Sequence, residues 1–504
     1  MRILLVYPQY PDTFWSFKHA LKFVSKKAAF PPLGLLTIAA MLPQEWDKKL
    51  VDLNVKNLRD RDIEWADYVF ISAMAVQKDS VNNVIERCRK LGTKIVAGGP
   101  LFTTGHEEFE AEIDHFVLNE AEITLPLFLE DLQNGQAKHI YTSDKWADVR
   151  ETPLPEWKLI NAKKYSAMAI QYSRGCPFDC EFCDIVVLNG HTPRTKGADQ
   201  LLKELDEFYK RGWKSSVFIV DDNFIGNKKK LKVEILPAVI EWMKKRRKPF
   251  SLFTEASINL ADDEELVRLM VKANFNMVFI GIETTHEDSL AECSKMQNRN
   301  RDMVASVKKL QNHGLQVQGG FILGFDNDPA SIFENMISFI QKSGIVTAMV
   351  GLLNAPRGTK LYHRLKKEKR LLSDFTGDNT DCTMNFVPRM GHKSLIDGYK
   401  KVIDTIYAPK QYYERVKTFL KEYKPTGAKV SLEFGQVMAF IKSVWFLGII
   451  GRGRRYYWRL LAWTLARRPK AFSLSVVLAI YGFHFRKVVE KYIIKLTRDN
   501  GSAV

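Results

Sequence analysis

Short apolar runs rich in branched side chains alternate with stretches of helical period through roughly the first 140 residues. RILLVYP, KLVDLNV, DYVFISAM, KIVAGGP and HFVLNEAE read as five strands, with helix-like segments such as 34–42 and 80–91 between them. Strands apolar on both faces and joined by helices predict a parallel sheet covered on both sides. Met1 to Pro8 is too short an apolar run for a signal peptide and reads as the opening strand. TSDKWADVRETPLPEW carries the prolines and charges of a linker.

A second alternating series begins near Ala167, with AMAIQYS, SSVFIVDD, FSLFTEAS, NMVFIGIE, LQVQGGFILG and TAMVGLL as strands. Six strand–helix units fall short of the eight of a complete (β/α) barrel, so an open, partial barrel is expected. Active residues then belong at the C-terminal ends of its strands. From about Gly377 the pattern turns to helix and irregular structure.

The composition is 46% hydrophobic and 26% charged over 504 residues, which excludes a disordered chain and a polytopic membrane protein. A net charge of +17 suggests an anionic partner. That charge is local. Residues 411–504 hold 18 Lys and Arg against 5 Asp and Glu, while the first 410 residues stand at only +4. Six cysteines exclude a disulfide scaffold. Cys176, Cys180 and Cys183 cluster, whereas Cys88, Cys293 and Cys382 stand alone. A cluster with singles points to a reduced, cytoplasmic setting and a metal site.

The cluster lies in Arg174-Gly-Cys-Pro-Phe-Asp-Cys-Glu-Phe-Cys-Asp184, a Cys-x3-Cys-x2-Cys directly after the first strand of the second series. Thiolates select zinc, copper(I) or iron–sulfur clusters. Structural zinc usually takes four ligands, and His191 is the nearest candidate fourth. A [4Fe–4S] cluster on three cysteines leaves one iron open. This motif, with Phe182 before its last cysteine, resembles that of the radical S-adenosylmethionine (SAM) superfamily. The resemblance implies that the open iron binds SAM, whose cleavage yields a 5′-deoxyadenosyl radical. It also implies SAM contacts from Asp221 and Asp222 (ammonium), Glu283 in GIETT (ribose and carboxylate), and Gly320 and Gly324 (adenine). Asp221-Asp222-Asn223 also reads as a helix cap. Two departures stand out: Asn327 occupies the place of the usual downstream acid, with Asp328 beside it, and Arg357 is inserted in the sixth-strand Pro-Gly-Thr turn.

A flavodoxin-like sheet binds ligands at the carboxyl ends of its strands. Here those ends carry Ser72-Ala-Met74 and Gly98-Gly99-Pro100, and two glycines let a bulky ligand approach the backbone. With Pro31-Pro32-Leu33-Gly34 and Asp52-Leu-Asn54, this resembles the cobalamin-binding domain of class B radical SAM enzymes. The resemblance implies cobalamin contacts at Ser72, Gly98 and Gly99, with Met74 in place of a leucine. The Asp-x-His-x-x-Gly motif that supplies an axial histidine is missing. His19, His106 and His115 read as surface or capping residues, so cobalamin without an axial histidine is implied.

In the tail, 434–451 and 471–483 are apolar but short of the roughly 20 residues that span a bilayer. GRGRRYYWRLLAWTLARRPK, between them, suits an amphipathic helix at an anionic membrane, a nucleic-acid contact, or a helix packed on the barrel. Together with Asn385-Phe-Val-Pro388 and the aromatics from Tyr407 to Tyr413, the tail is similar to the C-terminal domain of hopanoid methylase-like proteins.

The expected fold is therefore α/β: a flavodoxin-like (Rossmann-type) cobalamin-binding domain (1–142), a linker (143–165), a partial (β/α)6 radical SAM barrel (166–375) and a mainly helical, basic, aromatic-rich domain (376–504). The expected function is cobalamin-dependent methylation of an unactivated carbon on a hydrophobic (lipid, polycyclic or tetrapyrrole-like) substrate. One SAM would methylate reduced cobalt and a second would supply the radical. Flavodoxin or ferredoxin is the expected electron donor. The expected location is the cytoplasm, with peripheral contact at the inner membrane face through the C-terminal region. Nucleic acid is the weakest of the partner readings. The alternatives are a cobalamin-domain radical SAM cyclase or oxidoreductase and, from another class, a metal-stabilised RNA-binding protein.

Overall fold

The structure is a computed structural model that describes residues 1–378, 380–424 and 434–499, with the backbone alone over 492–499. Parts of the basic tail, 425–433 and 500–504, thus lie outside the described residues.

Two parallel sheets follow the two alternating series. The first contains β1 (Arg2–Tyr7), β2 (Asp47–Asp52), β3 (Tyr68–Ser72), β4 (Lys94–Gly98), β5 (His115–Val117) and β6 (Ile140–Tyr141), in the order β2-β1-β3-β4-β5-β6. The central strands are apolar on both faces because helices cover both; Ile3, Leu4, Leu5 and Val6 are fully buried. The direction of winding reverses between β1 and β3, and a crevice opens there at the carboxyl ends of the strands. β6 is an addition to the five strands read from the sequence.

The second sheet contains β7 (Met168–Ile170), then, after a short ribbon of β8 (Ser173–Arg174) and β9 (Arg194–Thr195), the strands β10 (Val217–Ile219), β11 (Leu252–Ala256), β12 (Phe275–Glu283), β13 (Gln316–Leu323) and β14 (Ala348–Leu352). The six pair in sequence order from β7 to β14, all parallel. β7 and β14 remain unpaired with each other, which makes the barrel partial.

The C-terminal helices seal one of these open edges. Tyr407 donates its hydroxyl to the carbonyl of Ala348, and Tyr399 donates to that of Val350 at 3.2 Å. Carbonyls two residues apart point to the same side of a strand, so the two tyrosines satisfy the exposed edge of β14. Arg415, fully buried between Tyr407 and Tyr412, donates to the Ile406 and Val346 carbonyls and to Gln341 Oε1. The second apolar stretch of the tail belongs to a longer helix, Phe472–Asp499. The segment Pro469–Lys491, which takes in the turn before this helix, is long and apolar enough to cross a membrane by length and composition, and 56% of its apolar window is buried inside the protein. Packing on the rest of the chain covers just over half of that window.

Candidate active site at the meeting of two cavities

Two cavities, of about 860 and 610 Å³, meet between the sheets. The larger lies in the barrel mouth. Its walls include Cys183, Asp222, Glu283, Gly320 and an apolar surround of Trp15, Phe30, Phe182, Phe218, Phe279 and Met349. The smaller lies at the switch point of the first sheet and is walled by Ser72, Gly98 and Gly99 together with Pro31, Gly34 and Glu122. Tyr7, Phe30, Met74, Asp222 and Glu255 border both.

The cysteine loop lies between the two strands of the short ribbon, directly after β8. Cys183 N–H donates to the Cys180 carbonyl at 3.1 Å, which folds the last two cysteines into a turn. Glu181 N–H donates to the Cys293 carbonyl at 3.0 Å, and the Glu181 carboxylate receives Arg364 at 2.6 and 3.0 Å. The loop is thereby pinned from two sides. Gln297 Nε2 reaches Cys180 Sγ at 3.9 Å. Burial pushes all three thiols above their ordinary pKa. Three soft sulfur donors on one loop suit an iron–sulfur cluster in chemistry. Among the described residues no three His, Cys, Asp or Glu side chains already converge at metal-ligand spacing, so the fit lies in donor type and placement. His191 is 3.9 Å from Asp179 and faces solvent.

The residues expected to contact SAM divide. Asp222 lines both cavities, accepts a hydrogen bond from Asn189 Nδ2 at 3.1 Å, and is pushed up to about 6 by burial. Asp221 lies behind it, absent from both linings. It receives Tyr172 N–H at 2.8 Å and the Ser173 hydroxyl at 2.6 Å, so it fastens the start of the cysteine loop to β10. Glu283 ends β12 at a bulge, with φ of 63°, and pairs with buried Lys295 at 2.8 Å. Gly320 lies on the cavity wall, where a Cβ would come within 2.8 Å of Phe279. Gly324 does not line the cavity. Its φ of 110° makes the turn that Asp328 closes by accepting the Gly324 and Phe325 N–H groups at 2.9 and 3.1 Å. Asp328, not Asn327, carries the acid at this turn.

Ser72, Gly98 and Gly99 come together on the smaller cavity. A Cβ on Gly98 would lie 2.6 Å from the Val117 carbonyl, and one on Gly99 would lie 2.6 Å from Ser72 Oγ at a φ of 87°. Gly98 is thus demanded by the close approach of neighbouring backbone, and Gly99 by the Ser72 hydroxyl and its positive φ. A cavity at the switch point, walled by backbone without Cβ atoms, fits a large flat cofactor. Among the described residues, no histidine lines either cavity.

Glu255 was not singled out from the sequence. It is the penultimate residue of β11, on the face shared with Phe253, and burial followed by the charges of Asp222, Asp221 and Glu283 pushes it up to about 8. Its place at the carboxyl end of a barrel strand was the available signal.

Three family models divide the chain: a B12 binding domain over 24–129, the radical SAM superfamily over 170–340, and a domain of unknown function (DUF4070) over 359–497. An uncharacterized methyltransferase of Synechocystis sp. is 40% identical, covering 99% of this chain and 94% of its own. The hopanoid C-2 methylase of Rhodopseudomonas palustris is 32% identical, covering 92% and 90%. The bacteriochlorophyllide d C-8(2)-methyltransferase of Chlorobaculum tepidum is 26% identical over 66% of this chain and 75% of its own. In fold, the chain is similar to the cobalamin-dependent SAM radical enzyme OxsB with aqua-cobalamin bound, with a TM-score of 0.62, 14% identity, and coverage of 100% and 81%. It is also similar to the radical SAM methyltransferase TsrM from Kitasatospora setae with cobalamin and a [4Fe–4S] cluster bound, with a TM-score of 0.58, 11% identity, and coverage of 93% and 99%. The chain belongs to the cobalamin-dependent radical SAM methyltransferase family.

Proposed function

We propose that this chain methylates an unactivated carbon of a hydrophobic substrate, polycyclic or tetrapyrrole-like, at the meeting of the two cavities. The shared border of Tyr7, Phe30, Met74, Asp222 and Glu255 carries the reading, because ligands filling the two cavities would touch across it. Bound there, the cluster with SAM would supply a carbon-centred radical and cobalamin a transferable methyl group.

The protein's part is placement. Cys176, Cys180 and Cys183 hold the cluster. Asp222 and Glu283 take the SAM polar groups, and Gly320 admits adenine against the wall. Asp221 and Gly324 support this arrangement from behind through the hydrogen bonds and turn described above. Ser72, Gly98 and Gly99 border the cobalamin. Phe182, Phe279 and Met349 exclude water and receive the apolar substrate. The division at 142, 165 and 375 gives each cofactor its own unit. Reduction comes from flavodoxin or ferredoxin, and the enzyme works in the cytoplasm with peripheral contact at the membrane through its C-terminal region.

Anaerobic reconstitution with iron, sulfide and hydroxocobalamin tests this assignment. The protein should bind corrinoid and cleave SAM, and a Cys176→Ala, Cys180→Ala, Cys183→Ala variant should keep the corrinoid and lose cleavage. Cleavage by the triple variant would refute the cluster assignment.

A further inference from the structure

One surface of the C-terminal region is strongly apolar. The helix Phe434–Ser443 continues through a wider turn, Val444–Ile449, and Val437, Ile441, Trp445 and Ile449 recur along it at every fourth position. Ile441, Trp445, Ile449 and Ile450 are 53, 55, 49 and 58% exposed. Trp458, from the next helix, Arg454–Arg467, is also exposed and is held beside them, its indole N–H donating to the Gly448 carbonyl at 2.9 Å. Contiguous exposed apolar side chains of this kind mark an interaction surface.

The charge around this face selects its partner. Arg452, Arg454, Arg455 and Arg459 are exposed. No Asp or Glu occurs between positions 433 and 490. Exposed tryptophans beside arginines, with no acid among them, complement the interface of a membrane whose lipids are anionic.

The helix that bears this face packs on the N-terminal segment that also walls the larger cavity. Phe446 packs on Phe23 with ring centroids 5.7 Å apart, and Lys442 Nζ donates to the Lys22 carbonyl at 3.0 Å. The same N-terminal segment carries Phe14 and Trp15, which line the cavity, and Trp15 lies against Phe279 at 4.8 Å. We propose that the face formed by Ile441, Trp445, Ile449, Ile450 and Trp458 seats on an anionic phospholipid bilayer and turns the Phe14–Trp15 side of the cavity toward it. This deepens the membrane contact proposed above and stands independently of the methyl-transfer chemistry.

The test is co-sedimentation of the full-length protein with phosphatidylcholine vesicles, with and without phosphatidylglycerol. Binding should require the anionic lipid and weaken as salt rises. Arg454→Gln and Arg455→Gln should each weaken it about fivefold. Trp445→Ser with Ile449→Ser should weaken it by about tenfold or more, since apolar burial contributes to interfacial binding. Unchanged SAM cleavage in the reconstituted variants shows that the fold is intact. Equal binding to neutral vesicles, or wild-type binding by the Trp445→Ser, Ile449→Ser variant, would overturn the proposal. So would self-association of the wild type that this variant abolishes, with no vesicle binding, because a second copy would then cover the face. Failure of SAM cleavage in a wild-type protein that still binds vesicles would count against the proposed function alone.

Discussion

Arg174 and Glu122 tie the cysteine loop to the first domain: Nη2 donates to Oε1 at 2.7 Å and Nη1 to Oε2 at 3.0 Å. Arg174 stands two residues before Cys176, and Glu122 lies in the first turn of the helix Ala121–Gln133 that follows β5. Arg174 also pairs with Glu120 at 3.2 Å, and Arg194 of β9 pairs with Glu120 at 2.7 Å. A bidentate, largely buried pair fixes both distance and angle between the two cavities.

Breaking this junction should therefore cost stability and alignment together. Arg174→Ala leaves part-buried Glu122 and buried Glu120 each one partner short, and urea denaturation should show a loss of roughly 2–4 kcal/mol. Arg174→Lys should be intermediate, because a single ammonium cannot replace the planar fork. Wild-type denaturation curves from Arg174→Ala would remove this role.

Acid should loosen the same junction. Burial opposes ionisation of Glu122, but the hydrogen bonds and charge of Arg174 prevail and hold it down at about 2. A depressed carboxylate contributes stability above its unfolded pKa of about 4.3 and loses it as pH falls through the folded value. The contribution should vanish between about pH 4.3 and 2. Glu122→Gln should flatten the pH dependence of stability in that window.

Glu255 predicts the opposite slope. Its folded pKa, pushed up to about 8, exceeds the unfolded value of about 4.3, so the folded state holds the extra proton in between. In the cofactor-free protein, stability should fall as pH rises through that range. Glu255→Gln should remove about 1.4 kcal/mol of that loss per pH unit, measured by urea denaturation at pH 6 and 8. A variant with the wild-type slope would show that Glu255 is ionised in the folded protein.

Gly98→Ala and Gly99→Ala separate the two cofactor sites. The added methyl would meet the Val117 carbonyl in the first case and Ser72 Oγ in the second, both on the wall of the smaller cavity. Each variant should lose bound corrinoid and keep its iron and its SAM cleavage. Optical spectra and metal analysis on the same sample check both halves of the expectation.

The long elements were legible because each apolar run is several residues long and is bounded by polar helix. β6 and the β8–β9 ribbon have two residues per strand, too few to show a period. The grouping of the three cysteines on one loop was legible from their spacing. Glu255 was not, because a charged residue alternating with buried ones reads as facing solvent, and here the open face of the strand is a cavity. Arg174 and Glu122 are 52 positions apart and leave no local signal of their pairing. The tail shows a related difficulty. Composition revealed its charge and aromatics, but only packing distinguishes the half-buried segment Pro469–Lys491 from the exposed stripe of Ile441, Trp445 and Ile449.

The most direct measurement is anaerobic purification in the presence of hydroxocobalamin, followed by iron, sulfide and corrinoid analysis of the intact protein. The account predicts one corrinoid and about four iron atoms per chain, with the iron lost when Cys176, Cys180 and Cys183 are replaced by alanine and the corrinoid lost in Gly99→Ala. A protein that retains iron and cleaves SAM but binds no corrinoid would contradict it.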